Sequence, residues 1–250
     1  MKKKYFLAVL FLFTALCSRA QFIGFAPSEH VFIEYEQGFY YPDFTDMNTH
    51  LQSYNNVSFG DSLRTWGINI HAQTDMFKKI RVDADFAFRA FTPHLIRSTD
   101  SLSYRLSGWL ISYNRGRDVF PGSNFLDLIL GIGYDFGRFK MIHDDLYFGV
   151  SKGKYTNPAF LFHGQGELRF NILKQSGGVG ITLGIKGIYT YDVTSGKWKS
   201  KTDSNPAIGF NTKMTGYMLL ATLGFAFHSG EGDVPNEKDT FNVNDRMPDK

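Results

Sequence analysis

The chain has 250 residues, with 27 basic and 24 acidic side chains, and its formal charge of +3 is an effect of the first 20 positions. Lys2, Lys3, Lys4 and Arg19 lie there without an acid, which leaves 23 basic against 24 acidic residues in the rest and no basic excess for nucleic acid. Cys17, the one cysteine, lies in the same stretch, so disulfides, thiolate metal sites and a cysteine nucleophile are excluded from the remainder.

Residues 1–20 have the layout of a secretory signal. Three lysines precede the apolar run Tyr5–Leu16, which is shorter than the ~20 residues that span a bilayer as a helix. Ser18-Arg19-Ala20 places small residues where signal peptidase reads, so cleavage is expected before Gln21. Anchoring as a lipoprotein through Cys17 is the rival, and Leu16 beside the cysteine makes a poor lipobox. The domain division is therefore signal 1–20, one folded unit 21–228 and a polar tail 229–250. No later apolar run is long enough for a transmembrane helix, so any span must be β.

Eight segments then follow in which every second residue is apolar, the strand period. They run over His30–Tyr41, Leu63–Thr74, Lys79–Thr92, Leu102–Asn114, Asn124–Phe139, Ala159–Ile172, Val179–Tyr191 and Met214–Phe227. In the third, Val82, Ala84, Phe86, Phe88 and Ala90 oppose Arg81, Asp83, Asp85, Ala87 and Arg89. The fourth is ambiguous, because Trp109 and Ile111 compete with Leu106 and Leu110. The connections alternate long and short, as in barrels with outer loops and tight periplasmic turns. Arg115–Ser123 is the exception, being longer than a tight turn. The predicted fold is all-β: a closed antiparallel up-and-down transmembrane barrel of about eight strands with a disordered C-terminal tail.

Alternation does not by itself say which face is inside, since a lipocalin-like barrel would turn its polar face to water. Three features favour a membrane wall. Lysine is almost confined to strand ends and loops, Lys186 excepted, whereas solvent-facing strands usually carry more of it. Aromatics gather near strand ends (Phe39, Tyr40, Tyr41, Trp66, Phe91, Tyr189, Tyr191, Phe225, Phe227), as at membrane interfaces. The long and short connections also alternate. The predicted lumen then holds Glu34, Glu36, Asp83, Asp85, Asp127, Asp135 and Glu167 against Arg81, Arg89, Arg105, Arg169 and Lys186, with His71 and His163. In a barrel just wide enough to be filled by side chains, these ions are expected to pair as a plug rather than to line a gated ion path.

The eight segments, the loop asymmetry and the closing strand Thr215–Phe227 resemble the small outer-membrane barrels of the OmpA/OmpX type. That resemblance implies an outer-membrane location in a Gram-negative cell envelope and a porin-like fold without a catalytic motif. It also implies contact with membrane lipids, lipopolysaccharide and the barrel assembly machinery. The aromatic-ended last strand matches the signal that this machinery reads, except that 23 residues follow Phe227.

Candidate chemistry is sparse. The lipid A deacylase family carries His-x-Ser on one strand, and no histidine here has serine two residues on, so no catalytic residue is assigned. His143-Asp144-Asp145 in the predicted third outer loop is a weak divalent-cation candidate, and Gly131-Ile132-Gly133 and Gly178-Val179-Gly180 lack the helix that a nucleotide loop requires. No cofactor or metal is expected. Met47–Tyr54 is expected to form a short helix capped by Thr45 or Asp46. Lys197, Trp198, Lys199 and Lys201 in the last loop are candidates for contact with lipopolysaccharide phosphates or a protein partner. The leading expectation is a non-enzymatic barrel for envelope integrity, surface binding or an accessory role in a transport or secretion assembly. A lipid-modifying enzyme and a small passive channel are the alternatives.

Overall fold

A computed structural model describes residues 30–55, 60, 62–77, 80–98, 102–120, 123, 125–145, 153–172, 179–200 and 211–228. The expected signal peptide, the expected polar tail and Lys201 lie outside the described residues. Eight long strands form the wall. These are β1 (His30–Pro42), β2 (Leu63–Phe77), β3 (Ile80–Ser98), β4 (Leu102–Asp118), β5 (Leu126–Asp145), β6 (Gly153–Asn171), β7 (Val179–Asp192) and β9 (Gly216–His228). The two-residue β8 (Lys199–Ser200) adds to the outer end of β6 through Tyr155↔Ser200 and Thr156↔Lys199.

Each long strand pairs antiparallel with the next, and β9 returns to β1 over the register His30↔His228 to Pro42↔Gly216. The ladder between β5 and β6 joins the two ends of the strand order, so the sheet is a closed up-and-down barrel without a free edge along its shared length. Strands begin where the period of two begins. Along β7 the burial alternates strictly, with Leu183, Ile185 and Tyr189 outside and Thr182, Lys186 and Thr190 inside.

Four strands run further than their sequence pattern predicts. β3 continues to Ser98, β4 to Asp118 and β5 to Asp145, and β6 starts at Gly153. Most of the predicted outer connections Pro93–Ser101 and Lys140–Pro158 is therefore strand, and His143-Asp144-Asp145 lies in β5 rather than in a loop. The extension of β4 to Asp118 lies at the end nearer the chain termini; in the outer ends of β3 to β6 the alternation persists but its sense reverses. Tyr104, Leu106, Met141 and Tyr155 point inward and are buried, while Arg105 and Lys154 point outward and are exposed. The reversal is what strands need on leaving a bilayer, because their outer face then meets water. It also accounts for the ambiguity of the fourth segment, which crosses the change. Leu106 and Leu110 point in.

The interior has two storeys. At the loop end Tyr40, Leu63, Phe91, Leu110, Phe139, Leu161 and Met218 form one apolar cluster. Ring centroids of Phe91 and Phe139 are 5.2 Å apart, and those of Tyr40 and Phe91 5.4 Å. The helix α1 (Thr45–Asn55) lies in the first outer loop. Phe44 and Met47, at its start, are buried in the same cluster. Its first turn is held by the Thr45 amide donating to Asp43 Oδ1 at 3.0 Å, so the capping side chain is Asp43 rather than Thr45 or Asp46. The half nearer the chain termini is filled with charge.

Candidate functional site: the charged lumen

Parity along the strands decides which side chains enter the lumen. Glu34 and Glu36 come from β1, His71 from β2, Arg81, Asp83, Asp85 and Arg89 from β3, and Asp127 and Asp135 from β5. β6 supplies His163, Glu167 and Arg169, and β7 supplies Lys186; all of these are buried. Arg105, expected among them, is exposed on the outer face, because β4 turns its even-numbered positions inward and Arg105 sits above the change of polarity.

Four cations organise the network among the described residues. Arg169 places Nε 3.3 Å from Glu34 and 3.2 Å from Glu167, with other nitrogens 3.7 Å from Asp83 and 3.9 Å from Asp127. Its guanidinium also lies 4.2 Å from the centroid of the Phe32 ring. Lys186 bridges Glu36 at 2.9 Å and Glu167 at 3.2 Å. Arg89 forks onto Glu36 and donates to Ser112 Oγ at 2.5 Å, and Ser112 in turn donates to Asp135. Arg81 reaches Asp118 and Asp127, each at 3.5 Å. Buried charges persist only when paired and hydrogen-bonded, and every carboxylate of the predicted set has a cation, imidazole or amide donor within reach.

Among the described residues two buried acids were missed from sequence, Asp118 and Asp192, because each falls at a strand end that the pattern assigned to a connection. Asp118 Oδ1 accepts from the amides of Phe120 (2.9 Å) and Leu128 (3.2 Å), and so compacts the β4–β5 turn. Asp192 accepts from the amides of Thr194 and Met214, both at 2.8 Å. The signal that would have found them is the parity of Ser112, Asn114 and Asp118, and of Lys186, Thr190 and Asp192, carried past the predicted ends.

His71 stands between carboxylates, with Nε2 2.7 Å from Glu34 and Nδ1 3.3 Å from Asp83. Ligand atoms of Glu34, His71 and Glu167 lie within 4.8 Å of one another, as do those of His71, Asp83 and Asp85. The guanidinium of Arg169 lies 3.3 Å from His71 Nδ1, 3.3 Å from Glu34, 3.2 Å from Glu167 and 3.7 Å from Asp83, so a fixed cation already stands against members of both groups. The arrangement is an ion network. His163 bonds Asp135 at 3.0 Å, but Ser112 bonds the same carboxylate rather than the imidazole, so these three do not form a nucleophile–base pair.

Of the last-loop candidates, Lys197 and Lys199 are exposed, whereas Trp198 packs partly on the apolar cluster and donates from Nε1 to Thr212 Oγ1 at 3.0 Å. The outer wall carries Ile33, Ile68, Phe86, Ile132, Ile185 and Leu223 exposed along its height, with aromatics toward both rims. A closed register, an apolar outer wall and a charged interior together define the class: an eight-stranded transmembrane β-barrel of the outer-membrane kind.

Neither a family model nor a curated protein matches the chain. It is similar in fold to three solved outer-membrane barrels. Neisserial surface protein A shares 10% identity over 80% of this chain and 96% of its own, with a TM-score of 0.39. Ail, the attachment invasion locus protein of Yersinia pestis, shares 10% over 80% and 95%, at 0.41. A major outer membrane protein from Thermus thermophilus shares 11% over 80% and 99%, at 0.46.

Proposed function

We propose that this chain is a non-enzymatic barrel of the outer membrane that contributes to envelope integrity and presents its loop-end surface to other molecules. The observation that supports this most directly is the filled interior. Tyr40, Phe91 and Phe139 meet across the lumen on the loop side, and the ion network occupies the half nearer the termini. A barrel packed this way has no wide aqueous path along the described residues, and its reactive side chains are sealed from lipid and water alike.

The loop-end surface includes the exposed Lys197 and Lys199, which suit phosphate groups of lipopolysaccharide. Planar-bilayer recording tests the sealed lumen, with no conducting steps expected. Lipid A mass spectrometry of deletion and complemented strains tests the absence of catalysis, with identical spectra expected. Steady conductance, or a lipid A species that depends on the intact gene, would overturn the proposal.

A further inference from the structure

The lipid-facing wall holds a charged feature that the interior network does not use. Arg115 and Arg117 lie at the end of β4 nearest the chain termini, and both are exposed on the outer face. Their register partners are Ala84 and Ile132 for Arg115, and Val82 and Leu130 for Arg117, so the ladder sets each between apolar residues. Two residues further up the strands, Tyr113 and Tyr134 are paired across the ladder with ring centroids 5.6 Å apart. An aromatic pair next to arginines at a strand end marks the level where hydrocarbon gives way to headgroups.

Beside these arginines runs a shallow groove of about 450 Å³, lined by Arg115, Arg117, Leu130, Ile132 and the backbone around Gly131 and Gly164. Gly164 on β6 faces outward opposite Ile132 and lines the groove, with Gly166 next to it on the same face, opposite Leu130. Neither glycine is required by crowding. A Cβ on Gly164 would meet nothing closer than Gly131 O at 4.0 Å, and one on Gly166 nothing closer than Leu130 Cδ2 at 3.5 Å. The wall glycines whose Cβ would meet a close neighbour, as at Gly116 with Leu130 O at 3.0 Å, are on the lumen-facing parity, and the outward Gly187 is open like Gly164 and Gly166. Bare wall at these two positions leaves space with an apolar floor and two guanidinium groups at its rim.

We propose that this groove between β4, β5 and β6 binds an anionic phospholipid, with the phosphodiester held by Arg115 and Arg117 and an acyl chain lying over Gly164 and against Leu130 and Ile132. It rests on the membrane-spanning reading above. The two arginines are two residues apart on one strand face, about 7 Å between Cα atoms, close enough for both forks to reach one phosphate. The apolar floor is what distinguishes a lipid from a free anion, since inorganic phosphate has no use for it.

The test is native mass spectrometry of the purified barrel in mild detergent with added phosphatidylglycerol or phosphatidylcholine. The wild type is expected to retain one phosphatidylglycerol in preference to phosphatidylcholine. Gly164→Leu, which fills the groove and leaves both arginines in place, and Arg115→Gln with Arg117→Gln are each expected to lower retention about tenfold. Excess inorganic phosphate is expected to leave it unchanged. Heat-modifiable gel migration shows that each variant is folded. Retention by Gly164→Leu equal to wild type, or competition by phosphate alone, would overturn the lipid site. A chain that stays soluble and monomeric without detergent would instead overturn the membrane reading on which it rests.

Discussion

Arg89 on β3 and Glu36 on β1 form a two-bond fork inside the barrel, Nε to Oε2 at 2.7 Å and Nη2 to Oε1 at 3.2 Å. The two strands are not neighbours, since β2 lies between them, so the pair ties the wall to itself across the lumen. Glu36 is shared with Lys186, and Arg89 is shared with Ser112 and Asp135. Replacing Arg89 by Met strands a buried carboxylate with one cation where it had two. A loss of about 3–5 kcal/mol is expected, the usual cost of breaking a buried pair from one side. Urea unfolding in lipid vesicles measures it. Arg105→Met is the control, because that side chain is exposed on the outer face, and it should change stability by no more than about 0.5 kcal/mol.

Arg169 carries more of the network than Arg89 does. Four carboxylates, Glu34, Asp83, Asp127 and Glu167, lie within 4.0 Å of its guanidinium. Arg169→Met is therefore expected to be the most destabilising of the lumen arginine substitutions, and Arg81→Met, whose partners stand at 3.5 Å near the lumen end, the least. Denaturant midpoints of the three variants give the order. A larger loss for Arg81 than for Arg169 would show that the central cluster is not the keystone of the lumen.

The wall was legible in the sequence because one rule governs it. Apolar residues face lipid and charged residues face the lumen, so Val82 to Ala90 and Leu183 to Tyr189 announce both strand and orientation. The rule fails above the membrane, where Tyr104, Leu106, Met141 and Tyr155 turn inward while Arg105 and Lys154 face water. A reader who keeps the membrane rule there ends the strands too early and puts Arg105 inside. The composition of the lumen could be read from parity. Its pairing could not, because which carboxylate Arg169 meets depends on the stagger of strands that are distant in sequence, β1, β3, β5 and β6.

The apolar storey makes its own prediction. Phe91 and Phe139 are almost fully buried and pack, rings tilted, against each other and against Tyr40. Truncating Phe139 to Ala is expected to cost about 3–5 kcal/mol through lost burial and the cavity left behind. It should not open a conducting path, because the ion network still fills the lumen toward the termini. Unfolding in vesicles and bilayer recording of the same variant test the two halves of this statement separately.

Asp43 links the wall to the helix above it. Its carboxylate accepts from Thr45, and that hydrogen bond holds it below the usual carboxylate range. A carboxyl whose folded pKa is depressed adds stability above its unfolded pKa and loses that contribution as the pH falls through the folded value. The start of α1 should therefore loosen in acid, below about pH 4, while the barrel wall stays closed. Phe44 and Met47 sit at this start and are buried in the mouth of the barrel, so the loosening should reach the apolar cluster. Hydrogen exchange at the Asn48 amide, which donates to Phe44 O at 2.7 Å, should speed up in that range. In Asp43→Ala the same amide should exchange fast at every pH, and a pH response retained in that variant would assign the effect to another group.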